Sequence, residues 1–221
     1  MAFDVIIIGA GGLGRESLMT FRESNRFVKN AEEILHFRGF VANSGEKNVC
    51  DEPILGDDTW ALGNLPSSMR FAVAIGNPAQ RRKVAEKYIK AGFEPFHLIH
   101  PSVITSEYVH FGRGIIVLPG VVFTTDIHIG DFCLINPRVS ISHDVQMGNY
   151  VSIGPGATIC GGVVIEDDVE IGAGATVLPG LTLGKAAFLG AGAVATRNLD
   201  PGKTYIGIPA RPLLAKLSGT P

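Results

Sequence analysis

One histidine and one aspartate, His143-Asp144, break a long run of small and aliphatic residues, ISHDVQMGNYVSIGPG at positions 141–156. An imidazole keeps a large neutral fraction near neutral pH, so it can take a proton from an attacking amine or hydroxyl. A carboxylate that accepts the other ring N–H fixes the tautomer and raises basicity at the free nitrogen. Asp144 is the candidate helper. Adjacent residues on a regular strand point to opposite faces, so the two meet only if a turn falls here. The plain alternative is a solvated surface histidine. A second stretch, Gly9-Ala10-Gly11-Gly12-Leu13-Gly14, follows the apolar run DVIIIGA. It fits G-x-G-x-x-G between a strand and a helix, where bare amides suit a phosphate or pyrophosphate. A dinucleotide would also need an acidic residue about 20 positions on, at the end of the second strand. That strand ends Val41-Ala42-Asn43, so a phosphate-bearing ligand is the better reading than NAD. A purely structural tight turn is the plain alternative.

Two kinds of architecture must hold these residues. Residues 1–97 read as a small α/β, Rossmann-like domain with a mainly parallel sheet. HFRGFVAN (36–43) suggests a second strand, and MRFAVAIGN (69–77) a third that ends in Gly76 and Asn77. PAQRRKVAEKYIKAG (78–92) predicts a helix, with Pro78 at its start and Gly92 after it.

Residues 98–200 follow a different period. Every sixth residue from Ile99 to Leu189 is bulky and apolar at fifteen of sixteen positions, and the residue four later is always apolar. No helix has a six-residue apolar period, whereas strand, turn, strand does, and this is the hexapeptide signature of a parallel β-helix. At three hexads per turn the array makes roughly five coils. The register never slips, so no long loop should interrupt them. Residues 201–221 remain as a C-terminal tail. In this frame His143 takes an outward turn position. Its neighbours one coil away, Thr125 and Gly161, are small enough to leave room beside the ring.

Composition narrows the function classes. The chain has 221 residues, 46% hydrophobic and 18% charged, which is a globular balance. A net charge of −2 from 19 basic and 21 acidic residues excludes the basic footprint of a nucleic-acid binder. Cys50, Cys133 and Cys160 are an odd number at irregular spacing, read as reduced thiols in a cytoplasmic protein. No signal peptide is expected from MAFDVIIIGAGGLGRE. No run of about 18 apolar residues exists, so no membrane span is expected. His110 and His128 lie one coil apart, but the third residue of their column is Gln146. A catalytic zinc normally takes three protein ligands, so no metal is expected.

GAGGLGRE, FAVAIGNPAQRR, the hexapeptide array and the ending Gly207-Ile208-Pro209-Ala210 together resemble the PglD/NeuD-like sugar O- and N-acetyltransferases. The likeness runs over about residues 3–215. It implies a left-handed parallel β-helix behind the α/β domain, acetyl-CoA as co-substrate, and a homotrimer with its sites between subunits. It further implies N-acetylation of a nucleotide-linked amino sugar in surface-glycan precursor synthesis. Acetylation of a sugar or sialic acid hydroxyl is the alternative within the class, and an inactive sugar-nucleotide-binding protein is the alternative outside it. By the same resemblance His143 is the general base and Asp144 its helper. Gly11, Gly12, Leu13 and Gly76 would approach the substrate. Asn43 would stand where relatives often carry base-binding acidic residues, and Asn136 would hydrogen-bond the substrate. Gly161 would offer its N–H to the oxyanion. Ser152 stands where relatives place a second histidine against the acetyl donor, and Ala173 and Ala191 would flank the pantetheine arm.

Overall fold

The structure, a computed structural model, describes residues 3–27 and 35–213. Within the N-terminal part, β1 (Asp4–Ile8) is central, and its Val5–Ile8 side chains are buried on both faces. That is the situation of a parallel strand covered on each side. Around it run α1 (Gly12–Arg26), β2 (His36–Val41), β3 (Asn48–Val49), β4 (Glu52–Gly56), α2 (Asp58–Asn64), β5 (Arg70–Val73), α3 (Pro78–Lys90) and β6 (Glu94–Pro95). The sheet order is β3-β4-β2-β1-β5-β6, parallel except for the β3–β4 hairpin. That hairpin and α2 were not foreseen. Its two turn residues, Cys50 and Asp51, both take positive φ, as a tight hairpin of this twist requires. The expected strands at 4–10, 36–43 and 69–77 and the helix at 78–92 are present with shorter ends.

From Leu98 the chain coils. Three parallel sheets form the faces of a prism. Face one carries Leu98–Ile99, Ile116–Val117, Leu134–Ile135, Ser152–Ile153, Glu170–Ile171, Phe188–Leu189 and Thr204–Ile206. Face two runs from Val122–Phe123 to Val194–Ala195, and face three from Val109–Phe111 to Thr182–Leu183. Partners lie one coil apart, as in Val117↔Ile135↔Ile153↔Ile171↔Leu189. The inward residues of all three faces form one continuous buried core.

The corners explain the glycine content. Every sixth residue from Gly114 to Gly192 has φ between 53° and 73°. This is the left-handed region that glycine enters without steric cost. Asp126, Phe132, Arg138, Asp144, Tyr150, Asp168 and Ala186 hold it without being glycine, at corners that the coils above and below over-determine.

The two parts are packed together. One side of the N-terminal sheet, with Leu18 and Phe21 of α1, shares a core with Leu98, Ile116 and Leu134 of face one. The other side, with Tyr88 of α3, packs against Phe132 and Tyr150 at the corner between faces three and one. Arg81 fastens this contact. Its guanidinium is buried and donates to the carbonyls of Ile75, Gly76, Phe132 and Tyr150 at 2.8 Å each, and to Ser152 Oγ at 2.9 Å. Burial brings its pKa down to about 10. Beside it Arg82 grips the Asp168 carboxylate at 2.8 Å to each oxygen and lies 4.0 Å above the Tyr150 ring. Arg81→Ala is expected to lower the unfolding free energy by at least about 3 kcal/mol, because several buried carbonyls lose their donor. Urea unfolding followed by tryptophan fluorescence measures this. An unchanged midpoint would mean that apolar packing alone joins the two parts.

Candidate active site

His143 stands at the corner between faces two and three, exposed, one residue before a left-handed turn position. Because Asp144 takes φ +61°, its side chain swings back alongside the ring instead of to the opposite face. His143 Nδ1 and Asp144 Oδ2 are 2.7 Å apart. The turn that the pair requires is thus the repeat's own corner. With Nδ1 engaged, Nε2 is the nitrogen left to accept a proton. The ring lies over Gly161, one coil on: a Cβ there would fall 2.5 Å from Cε1 and 2.7 Å from Nε2. Only glycine leaves that space. Among the described backbone hydrogen bonds, the Gly161 N–H is given to no carbonyl.

A cleft of about 330 Å³ opens elsewhere, where the N-terminal part meets face one. Leu13, Glu16 and Gly76 line one wall, and Leu134, Asn136, Ser152, Gly154, Glu170, Gly172 and Phe188 line the other. Asn136 donates through Nδ2 to the Ile153 carbonyl at 2.7 Å, which leaves its Oδ1 toward the cleft as an acceptor. Ser152 donates to the Gly76 carbonyl at 3.0 Å and accepts from Arg81. Its one proton therefore goes to the joint between the two parts. Desolvation raises the Glu170 carboxyl pKa, against the opposing pull of Arg81.

The glycine loop divides its labour. A Cβ on Gly14 would sit 2.1 Å from the Gly9 carbonyl oxygen, and one on Gly9, at φ +104°, 2.7 Å from that of Ala74. These two glycines let the helix press onto the strand. A Cβ on Gly11, Gly12 or Gly76 would meet nothing within 4 Å, so the space beside them is open to a ligand, although the Gly76 carbonyl is taken by Arg81 and Ser152. Gly11 gives α1 no side-chain cap, and no acidic residue occupies the first turn. The first amides of the helix are free for an anion. Asn43 lines a different cleft of about 420 Å³, with Gly9, Ala42, Asp57, Asp58 and Lys87.

The structure therefore brings the sequence candidates together in three places. Leu13, Gly76, Asn136 and Ser152 share the face-one cleft, with Gly11 and Gly12 at the start of the helix that walls it. His143, Asp144 and Gly161 share the corner between faces two and three, on the far side of the prism. Ala173 and Ala191 follow face-one strands at the corner between faces one and two, one coil apart. There a Cβ on Gly172 would meet the Ala191 nitrogen at 2.4 Å, so the coils stack closely in this column. Sequence reading missed Glu170 and Arg81. Glu170 lies one coil beyond Ser152, and the register alone would have placed it. His110 and His128 stack with ring centroids 4.8 Å apart, and Gln146 bonds the second ring. Cys133 is buried, and its thiol is pushed up to about 12 by desolvation.

A coiled prism of hexads joined to a glycine-loop α/β part, with a histidine-carboxylate pair on a corner, defines a hexapeptide-repeat acyltransferase. Residues 4–88 match the PglD N-terminal domain, and residues 126–161 match the bacterial transferase hexapeptide (six repeats). PerB from Caulobacter crescentus, solved with CoA and GDP-perosamine, is 33% identical with a TM-score of 0.85, over 95% of this chain and 97% of that one. The acetyltransferase domain of PglB from Neisseria gonorrhoeae, solved with acetyl coenzyme A, is 28% identical with a TM-score of 0.87, over 96% and 100%. WeeI from Acinetobacter baumannii is 27% identical with a TM-score of 0.86, over 96% and 100%. No curated protein matches the chain by sequence. The chain belongs to the PglD/NeuD-like family of sugar acetyltransferases, with its left-handed parallel β-helix. Among the described residues no helix is long and apolar enough to cross a membrane.

Gly161→Ala should turn the His143 ring away from Asp144. The ring is exposed, so stability should change by less than about 0.5 kcal/mol. On the reading of His143 as the base, displacing its ring should slow acetyl transfer by about a hundredfold. Thiol release from acetyl-CoA and urea unfolding, measured together, test this. Equal rates in both proteins would remove the ring position from the mechanism.

Proposed function

We propose that this protein transfers the acetyl group of acetyl-CoA to the amine of a nucleotide-linked sugar. The carrying observation is the His143–Asp144 contact at 2.7 Å, with Nε2 free and Gly161 against the ring. Asp144 holds the Nδ1 proton, so Nε2 is basic. As the amine attacks the thioester carbon, Nε2 takes one N–H proton. The C–S bond of the tetrahedral intermediate then breaks, and the departing coenzyme A thiolate takes up a proton, for which His143 is the available donor. The unengaged Gly161 N–H is suited to the developing oxyanion. Transfer is direct. Cys133 is buried with a raised thiol pKa, and among the described residues no hydroxyl or thiol is hydrogen-bonded to the base.

Family membership supports acetyl-CoA as the donor and a sugar as the acceptor. The GDP-perosamine bound by PerB supports a nucleotide-linked amino sugar. The uncapped start of α1 and the open space beside Gly11, Gly12 and Gly76 suit its phosphates. Asn136 would contact the sugar, Asn43 would lie with the nucleoside in the second cleft, and Ala173 and Ala191 would flank the pantetheine arm.

The base and the face-one cleft lie on different sides of one prism, which favours a site completed by a second copy. Val164 and Leu178, near the His143 corner, are exposed, and apolar side chains left open usually meet a partner. We therefore read the protein as a cytoplasmic homotrimer with sites between subunits, working in surface-glycan precursor synthesis.

The test is thiol release from acetyl-CoA with GDP-, UDP- and dTDP-linked amino sugars and with sialic acid, for wild type and His143→Ala. One amino-sugar nucleotide should support release, and the substitution should cut it by about 10²–10⁴. Release with sialic acid alone would reassign the protein to O-acetylation. Sedimentation should give three chains, and a monomer that retains full activity would sink the shared site.

A further inference from the structure

We propose that Glu170 is the residue that makes the face-one cleft select an amine over a hydroxyl, by accepting N–H bonds from the sugar's ammonium group as the substrate docks. The inference rests on the reading of that cleft as the sugar site.

The argument is a count of donors and acceptors. Asn136 gives one Nδ2 hydrogen to the Ile153 carbonyl and keeps the other, with Oδ1 as an acceptor. Ser152 has given its proton to the Gly76 carbonyl. Glu16 and Glu170 are acceptors when ionised. The other lining side chains are Leu13, Leu134, Ile171 and Phe188, with glycines between them. The second Nδ2 hydrogen of Asn136 is the one lining side-chain N–H without a described partner, against the Glu16 and Glu170 carboxylates and Asn136 Oδ1 as acceptors. The other donors nearest the cleft are the first amides of α1, in the backbone, where Leu13 forms part of the wall. Such a lining offers a ketone, a carboxylate or a phosphate one side-chain N–H at most. It suits a group that brings its own hydrogens, and a cation best of all.

Glu170 is the acid placed to decide this. It belongs to the rigid ladder of face one, one coil beyond Ser152, whereas Glu16 is exposed on a helix. Among the described residues its carboxylate takes no hydrogen bond and forms no ion pair. The closest buried cation, Arg81, spends its donors on carbonyls and on Ser152 Oγ instead. Partial burial makes an unpaired carboxylate costly, and its pKa is raised accordingly. An ammonium in the cleft would relieve that cost. A neutral hydroxyl would relieve less of it, and an N-acetylated product, with one amide N–H and no charge, less again. The cleft would thus hold the substrate amine and release the acetylated sugar. Glu170 is here a specificity residue. It takes no proton in the chemical step: the docked ammonium loses one proton to solvent to become the neutral amine, and the N–H proton released as that amine attacks goes to His143.

The experiment compares wild type with Glu170→Gln, which keeps size and loses charge. For the amino-sugar nucleotide that wild type acetylates, binding is measured by calorimetry against its counterpart bearing a hydroxyl in place of the amine. Coenzyme A binding is measured alongside. Wild type should bind the amine at least about tenfold more tightly, as expected for a charge-assisted pair. Glu170→Gln should remove that preference while leaving the hydroxyl compound and coenzyme A within about twofold. If the variant weakens both sugars equally, or neither, the role assigned to Glu170 is overturned and the acetyltransferase reading stands. If wild type acetylates and binds no nucleotide-linked amino sugar, the underlying reading fails and this inference with it.

Discussion

A single backbone constraint governs the molecule: once every six residues the chain must turn through positive φ. From Gly114 to Gly192 that requirement is met without a miss. It sets the glycine content and fixes strands of two or three residues. It also keeps each side chain exactly one coil from its neighbour in the column. It holds even where the residue is Phe132, Tyr150 or Ala186, each of which would avoid the left-handed region in isolation. Cooperative hydrogen bonding from the coils on either side supplies what the local preference withholds. The His143–Asp144 contact is a by-product. Asp144 reaches the ring beside it because it occupies the same corner position that makes the other coils turn.

Because the columns are so regular, chemistry in this fold is distributed by column and not by loop. His143 and Gly161 form one column, and Ser152 and Glu170 form another on face one. A prism keeps such columns apart permanently. No rearrangement of side chains moves a group from a corner to the opposite face without unwinding the coil. Combining two such columns in one site takes a second copy of the chain, which is what the proposed shared site requires.

Much of this was legible in the sequence, for reasons that differ by region. The six-residue period is set by burial at two positions per hexad, and burial writes itself directly into residue type. The coils, their register and the outward position of His143 followed at once. The His143–Asp144 contact was visible as a possibility but not as a geometry, since strand rules place adjacent side chains on opposite faces and only the corner's φ resolves the conflict. Ser152 was read from resemblance as a contact for the donor. Its hydroxyl joins Gly76 and Arg81, a contact between residues more than seventy positions apart that no local pattern encodes. Nothing local in PAQRRKVAEKYIKAG marks Arg81 as the cation that is buried. The β3–β4 hairpin and α2 were missed because two-residue strands and a seven-residue helix carry too little periodicity to register.

Arg81 also shows how the joint between the two parts and the cleft beside it depend on each other. A buried guanidinium normally demands a carboxylate, and an ion pair so deep is costly to desolvate. Here carbonyl oxygens at the ends of β5 and of two coil corners take its hydrogens, with Ser152 as the one side-chain partner. Carbonyl dipoles are already fixed by the strands and corners that carry them, so they cost little further ordering. Glu170, the nearest carboxylate on the face-one ladder, is thereby left unpaired. Had Arg81 been neutralised by Glu170, the joint would be as secure, but the cleft would have lost its one acid on a rigid ladder. Satisfying the buried cation with backbone keeps a negative charge at the wall of the cleft, a few residues from the free amides at the start of α1. A ligand that carries phosphates at one end and an amine at the other meets both.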